Sequence, residues 1–106
     1  MSSVGEPGRY RTLREFYPFY LGEHSNRSCR RMHFVGTSVA VVLLVAAVTT
    51  QTWWLVVMGL IQGYAFAWAG HFFYEKNRPA TFTYPWLSFL GDWRMWWEIL
   101  TNKIRF

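Results

Sequence analysis

"HFVGTSVAVVLLVAAVTTQTWWLVVMGLIQGYAFAWAGHFFYE", residues 33 to 75, is the stretch on which the fold turns. Between His33 and Glu75 it contains no Asp, Glu, Lys or Arg. A helix crosses bilayer hydrocarbon in ~20 residues, so the stretch is long enough for two crossings. It predicts a hairpin of transmembrane helices over about residues 33–48 and 53–73. "TTQT", residues 49–52, supplies the turn, and Trp53 and Trp54 mark the far interface. The first span is short, because residues 33–48 as helix cover only about 24 Å, which calls for little tilt or a locally thinned bilayer. A soluble bundle would have to cover both helices on every side, and 106 residues leave little protein to do so.

Composition agrees with a membrane setting. Charged residues are 16% of the chain, against about 25% in soluble domains. Seven Trp, six Tyr and nine Phe suit the level where hydrocarbon meets water. A net charge of +5 without a long basic block points to anionic membrane lipids and not to nucleic acid. Cys29 is the single cysteine, which excludes an intrachain disulfide. The first twenty residues read as neither a secretory nor a transit signal, and no lipid-anchor motif is present. The expected organisation is a flexible N-terminus over residues 1–10 and one helical membrane domain over 11–106.

Around the hairpin, Leu13, Phe16, Tyr17, Tyr20 and Leu21 recur at helical spacing opposite Arg11, Arg14 and Glu15, which predicts an amphipathic interfacial helix ended by Gly22. Ser25 or Asn26 is the N-cap of the next helix. Pro79 stops the second span. Beyond it an aromatic connection is broken by Pro85 and Gly91, and Asp92 caps a final interfacial helix carrying Trp93, Met95, Trp96, Trp97, Ile99 and Leu100. The fold class is an all-α membrane protein, a transmembrane helical hairpin with flanking amphipathic or interfacial helices. Six basic residues precede His33, five follow Glu75 and none lies in the turn, so both ends are expected in the cytosol.

A hairpin brings the start of its first span beside the end of its second. His33 and His71 should therefore meet at the cytosolic face, with His24 just outside and Glu75 one helical turn beyond His71. Imidazoles with a carboxylate suit a divalent metal; iron is a natural occupant and zinc is chemically open. Glu75 is a ligand, a support for His71 or a partner of Lys76 or Arg78. Asn26 is a cap or a site residue, and Cys29 a small buried side chain. Haem held between His33 and His71 is the rival, but it leaves His24 and Glu75 without a role. Arg27, Arg30, Arg31, Lys76 and Arg78 ring this mouth, where they hold the helix ends at the headgroups or receive the carboxylate of an amphiphile. Gly59, Gly63 and Ala67, four apart, let another helix approach closely.

Three segments, "FYPFYLGEHSNRSCRRMHFVGT", "GYAFAWAGHFFYEKNRPATF" and "GDWRMWWEIL", resemble the small membrane proteins related to the fungal 2-hydroxy fatty acid dioxygenase. The resemblance runs from about Leu13 to Leu100, and its signatures are His24, Asn26 and His33, then Gly70, His71, Glu75, Pro79 and Ala80. A departure is Cys29, where fungal members tend to carry an Asn. The resemblance implies an Fe(II)-dependent enzyme that consumes dioxygen and shortens a long-chain 2-hydroxy fatty acid by one carbon in α-oxidation. The leading reading, which joins the histidine convergence to the resemblance, places Fe(II) on His24, His33 and His71, with Glu75 as fourth ligand or orienter, and sets Asn26, Arg27, Arg30, Arg31, Lys76 and Arg78 near the substrate headgroup. A chain of this length implies the bacterial cytoplasmic membrane over the endoplasmic reticulum, with self-association left open. The competing classes are a metal-dependent lipid hydrolase with Glu75 as base, and a non-enzymatic lipid-binding or haem-binding membrane protein.

Overall fold

The structure, a computed structural model, describes residues 9–106. Four α-helices follow one another: α1 Leu13–Gly22, α2 Arg27–Thr50, α3 Trp54–Gly70 and α4 Pro85–Leu100. Helix α3 runs on into one π turn, His71–Glu75, and a short 3₁₀ turn, Ala80–Phe82, leads into α4. Most of the flexible segment expected over residues 1–10 lies outside the described residues; Tyr10, at its end, packs its ring on Phe16, Phe19 and Tyr84.

Helices α2 and α3 form the hairpin. The first helix begins at Arg27 and not at His33, because Asn26 is its N-cap: Asn26 Oδ1 accepts the N–H groups of Ser28 and Cys29 at 2.8 and 3.3 Å. Such a cap stabilises a helix by about 1 kcal/mol. At 24 residues the helix is about 36 Å long, so no thinning of the bilayer is needed. The turn is tighter than the four residues expected. Thr49 and Thr50 stay helical and return their hydroxyls to carbonyls one turn back, and Gln51 caps the helix in the left-handed region at φ 54°.

The two helices meet where Cβ atoms are missing. A Cβ on Gly36 would lie 2.9 Å from Phe66 Cβ and 3.2 Å from the Gly63 carbonyl oxygen, and one on Gly70 would lie 3.1 Å from Cys29 Sγ. Gln62 ties the crossing by donating from Nε2 to the Gly36 carbonyl at 2.7 Å, a polar contact that holds helices together where no water competes. The outer faces of the hairpin remain bare: Val42, Trp54 and Ile61 are 66%, 63% and 59% exposed. Both helices are long and apolar enough to cross a membrane. The core helix of a soluble protein would be covered on these faces, whereas lipid covers them here.

Helices α1 and α4 form a second layer at the hairpin's open end. The apolar face of α1 is buried against protein: Phe16, Tyr17 and Tyr20 join Tyr84, Leu87, Met95 and Ile99 in the one continuous apolar core among the described residues. Neither Gly91 nor Pro85 breaks this layer, and Asp92 is not a cap. Pro85 opens α4, where its missing N–H costs nothing, and Gly91 lies mid-helix because the Tyr20 ring passes 2.9 Å from where its Cβ would be. Asp92 therefore projects from the middle of α4. Trp96 fastens α4 to the hairpin, donating from Nε1 to Ser38 Oγ at 2.9 Å.

Overpacking at a backbone-to-backbone crossing costs roughly 1–3 kcal/mol. Gly36→Ala should accordingly lower the melting temperature in detergent, while Gly63→Ala, whose new Cβ would meet only the Gly36 carbonyl at 3.8 Å, should leave it unchanged. Equal shifts for the two variants would place the controlling contact elsewhere.

Candidate metal centre

Each histidine reaches the open end of the hairpin from a different element. His24 follows α1, His33 sits near the start of α2, and His71 opens the π turn. The structure brings all three together, buried at 1%, 4% and 2% exposure. His24 Nε2 lies 3.0 Å from His33 Nε2 and 2.9 Å from His71 Nε2.

The opposite ring nitrogens fix which atoms face inward. His24 Nδ1 donates to the Tyr20 carbonyl at 2.7 Å, His33 Nδ1 to the Cys29 carbonyl at 3.0 Å, and His71 Nδ1 to Asn77 Oδ1 at 2.7 Å. Asn77 is oriented for this, because its Nδ2 donates to the Glu23 carbonyl at 3.2 Å. All three partners are acceptors, so each Nδ1 carries the proton and each Nε2 presents a lone pair. Burial, reinforced by the neighbouring imidazoles, pushes the His24 pKa well below its usual range and keeps the ring neutral. Three neutral nitrogens cannot hydrogen-bond one another through lone pairs; a cation resolves the arrangement, and neutral imidazoles whose far N–H groups are held by acceptors are good metal ligands. Cys29 lies against the same group, and the donor atoms of His24, Cys29, His33 and His71 all fall within 4.8 Å of one another. Its sulfur approaches His33 from the Nδ1 side at 3.8 Å. The residues present fit a metal ion. They do not fit haem: the His33 and His71 rings are edge to face with centroids 5.0 Å apart and His24 between their Nε2 atoms, which leaves no room for a porphyrin plane.

The structure does not bring Glu75 into this group. The expectation that it stands beside His71 assumes α geometry, whereas a π turn re-aims the residues it contains. The Glu75 carboxylate meets the head of α2, accepting the backbone N–H of Asn26 and the Ser25 hydroxyl at 3.3 Å. Asn26 is occupied as the cap of α2. Arg30 donates from Nη1 to the carbonyls of His24 and Ser25 at 3.0 and 2.8 Å, so it holds the loop that carries His24. Arg27 and Arg31 donate to the Phe106 carbonyl, Arg78 lies over the Phe82 ring, and Lys76 caps the π turn. None of these five cations lines the two cavities that border the imidazoles.

Sequence reasoning misses three members of the site. Asn77 orients His71, and its signal is its place two residues after Glu75. Asp92 stands 3.9 Å from His33 Nε2 and accepts the Tyr20 hydroxyl. Loss of solvation pushes its carboxyl up to about 7, with the Tyr20 hydrogen bond opposing. Its signal is being the one acid between Glu75 and Glu98. Cys29, which reads in the sequence as a filler of space, packs beside the ligands.

A small chamber beside the imidazoles is lined by Tyr20, Trp68, Ala80, Ser88 and Asp92 as well as the histidines. Sharing His33, Ala67 and Asp92 with it, an apolar cleft runs along Gly63 and Gly59 of α3 under Phe89 and Trp93 of α4. A polar, metal-competent chamber thus adjoins an apolar cleft between α3 and α4.

Searches among curated proteins and among solved structures give no significant match. A family model described as "2-hydroxy-palmitic acid dioxygenase Mpo1-like" matches residues 10–104, a span that holds every residue of the chamber. The buried three-histidine cluster with Cys29 beside it, on a small all-α membrane scaffold, is consistent with a metal-dependent dioxygenase, and the chain belongs to the Mpo1-like 2-hydroxy-palmitic acid dioxygenase family.

Proposed function

We propose that the chain holds Fe(II) on His24, His33 and His71 and removes one carbon from the carboxyl end of a long-chain 2-hydroxy fatty acid, with dioxygen as co-substrate. The observation that carries this reading is the convergence of three inward-facing Nε2 atoms. Two nitrogens about 2.1 Å from one ion stand about 3.0 Å apart when bound at right angles and about 3.4 Å apart at the tetrahedral angle. The spacings of 2.9 and 3.0 Å would let these nitrogens share one ion, and an imidazole set of this kind suits iron among the divalent metals. When bound, Fe(II) supplies the electrons that ground-state dioxygen needs for reaction with an organic substrate.

The protein's own residues do the rest. The acyl chain lies in the apolar cleft along Gly59, Gly63 and Ala67 and continues into lipid, which sets the carboxyl end beside the histidines. Asp92, next to His33 and steadied by Tyr20, is the acceptor for the substrate's 2-hydroxyl proton. Glu75 serves as orienter: by tying the end of α3 to Asn26 and Ser25 it fixes the distance between His71 and His24. Arg27, Arg31, Lys76 and Arg78 hold the helix ends at anionic headgroups and attract the acidic substrate to them. Both termini face the cytosol of a bacterial cell, as the basic residues at the hairpin's open end favour.

Metal analysis of anaerobically purified protein tests the ligand set. One equivalent of iron is expected in the wild type, and little in His24→Ala, His33→Ala or His71→Ala. Full iron retention in any one variant removes that residue from the set, and full dioxygen consumption with 2-hydroxypalmitate after strict iron removal ends the iron reading. Losing an outer-shell partner of a metal-binding histidine typically weakens affinity about 10- to 100-fold. Asn77→Ala should show that loss on titration with Fe(II), whereas Glu75→Gln, which keeps the shape of the contact to α2, should bind iron within a few-fold of the wild type.

A further inference from the structure

Among the described residues, few buried side-chain polar atoms lack a hydrogen-bond partner, and two of them, Ser88 Oγ and Trp68 Nε1, belong to residues lining the chamber that the three histidines enclose. Ser88 is only 3% exposed. Leaving a buried hydroxyl and a buried indole N–H unpaired costs free energy, and here both fall on residues of the wall around the imidazoles. Trp68 comes from α3 and Ser88 from α4, so two helices contribute an unpartnered donor to the residues of one wall.

Their chemistry specifies what they can take. An indole N–H only donates, and a serine hydroxyl donates freely when no acceptor already holds it. Two unpartnered donors on residues of one chamber wall call for a group with two acceptor oxygens. Asp92, on the same chamber and four residues along α4 from Ser88, offers the opposite chemistry, an acceptor. A 2-hydroxy acid carries both complements on adjacent carbons: a carboxylate that accepts and a hydroxyl that donates. Arginine and lysine, the usual carboxylate binders, do not line this chamber.

We propose that Trp68 and Ser88 form the carboxylate-recognition site of the substrate, binding its head by two neutral hydrogen bonds while Asp92 takes the 2-hydroxyl. This rests on the functional reading above and assigns the residues that would select an acid over a neutral lipid. It also explains why the five cations at the mouth stay outside: a buried guanidinium beside the metal would add positive charge to the site, whereas neutral donors orient the carboxylate without repelling the ion.

Binding of two probes to Fe(II)-loaded, detergent-purified protein without dioxygen tests the assignment: 2-hydroxypalmitate, and 1,2-hexadecanediol, which keeps the chain and the 2-hydroxyl but lacks the carboxylate. Ser88→Ala and Trp68→Phe are each expected to weaken the acid about tenfold, the scale for a lost hydrogen bond to a charged group, and to leave the diol unchanged. In the ligand-free protein, Ser88→Ala should melt at or above the wild-type temperature, because it removes an unpaired buried hydroxyl. Unchanged affinity for the acid, equal losses for acid and diol, or a clearly lower melting temperature for Ser88→Ala would each overturn the proposal. Absence of iron from the wild type would instead count against the metal reading, and the comparison of acid with diol on the metal-free protein would still decide for or against the donor pair.

Discussion

Gly70 rests on the backbone of Cys29, with the place of its absent Cβ 3.2 Å from Cys29 Cα, and the site depends on that approach. His71 is the next residue after Gly70, and His33 stands one helical turn after Cys29. A Cβ at position 70 would force Cys29 or α3 to give by a few tenths of an ångström, at the contact that holds the start of the π turn against α2. An apolar solvent exerts no hydrophobic pressure between two lipid-facing helices, so close van der Waals fit has to supply the attraction. The contact that makes the hairpin stable is thus also the contact that sets the spacing of the metal-binding nitrogens.

Polar groups at the open end complete what the helix contact begins. Water is scarce around a buried site, so each backbone group there needs a protein partner. The Glu75 carboxylate takes the Asn26 N–H, Arg30 takes the carbonyls of His24 and Ser25, and Asn77 bridges His71 to the Glu23 carbonyl. Each link joins the loop after α1 to α2 or to the end of α3, and each lies within a few residues of a histidine. A metal site needs its ligands held within about 0.5 Å of their working positions, and this network provides that restraint without spending a histidine nitrogen other than Nδ1.

The hairpin and the meeting of His33 and His71 are legible in the sequence because they follow from charge placement and topology, which a linear pattern records. What stays hidden depends on local geometry. The π turn re-aims Glu75, and nothing in "HFFYEK" separates a π turn from an α turn by periodicity. Asp92 reads as a cap because Gly91 precedes it, although that glycine exists to pass the Tyr20 ring and the helix begins at Pro85. Long-range packing gives Gly91 its purpose, and a single sequence does not display packing. The start of α2 at Arg27 is masked in the same way, because three arginines look like a flank and in fact form its first turns.

The second layer explains how so small a chain can bury three histidines. Helix α1 stacks Tyr20 on the His24 ring, and its Phe16 and Tyr20 pack with Leu87, Met95 and Ile99 of α4 in one apolar core. Along α4, Leu87, Met95 and Ile99 serve the core while Ser88 and Asp92, one helical turn apart, line the chamber, so one helix both seals the site and furnishes it. The apolar cleft beneath Phe89 and Trp93 shares His33, Ala67 and Asp92 with that chamber, so a polar and an apolar lining adjoin there.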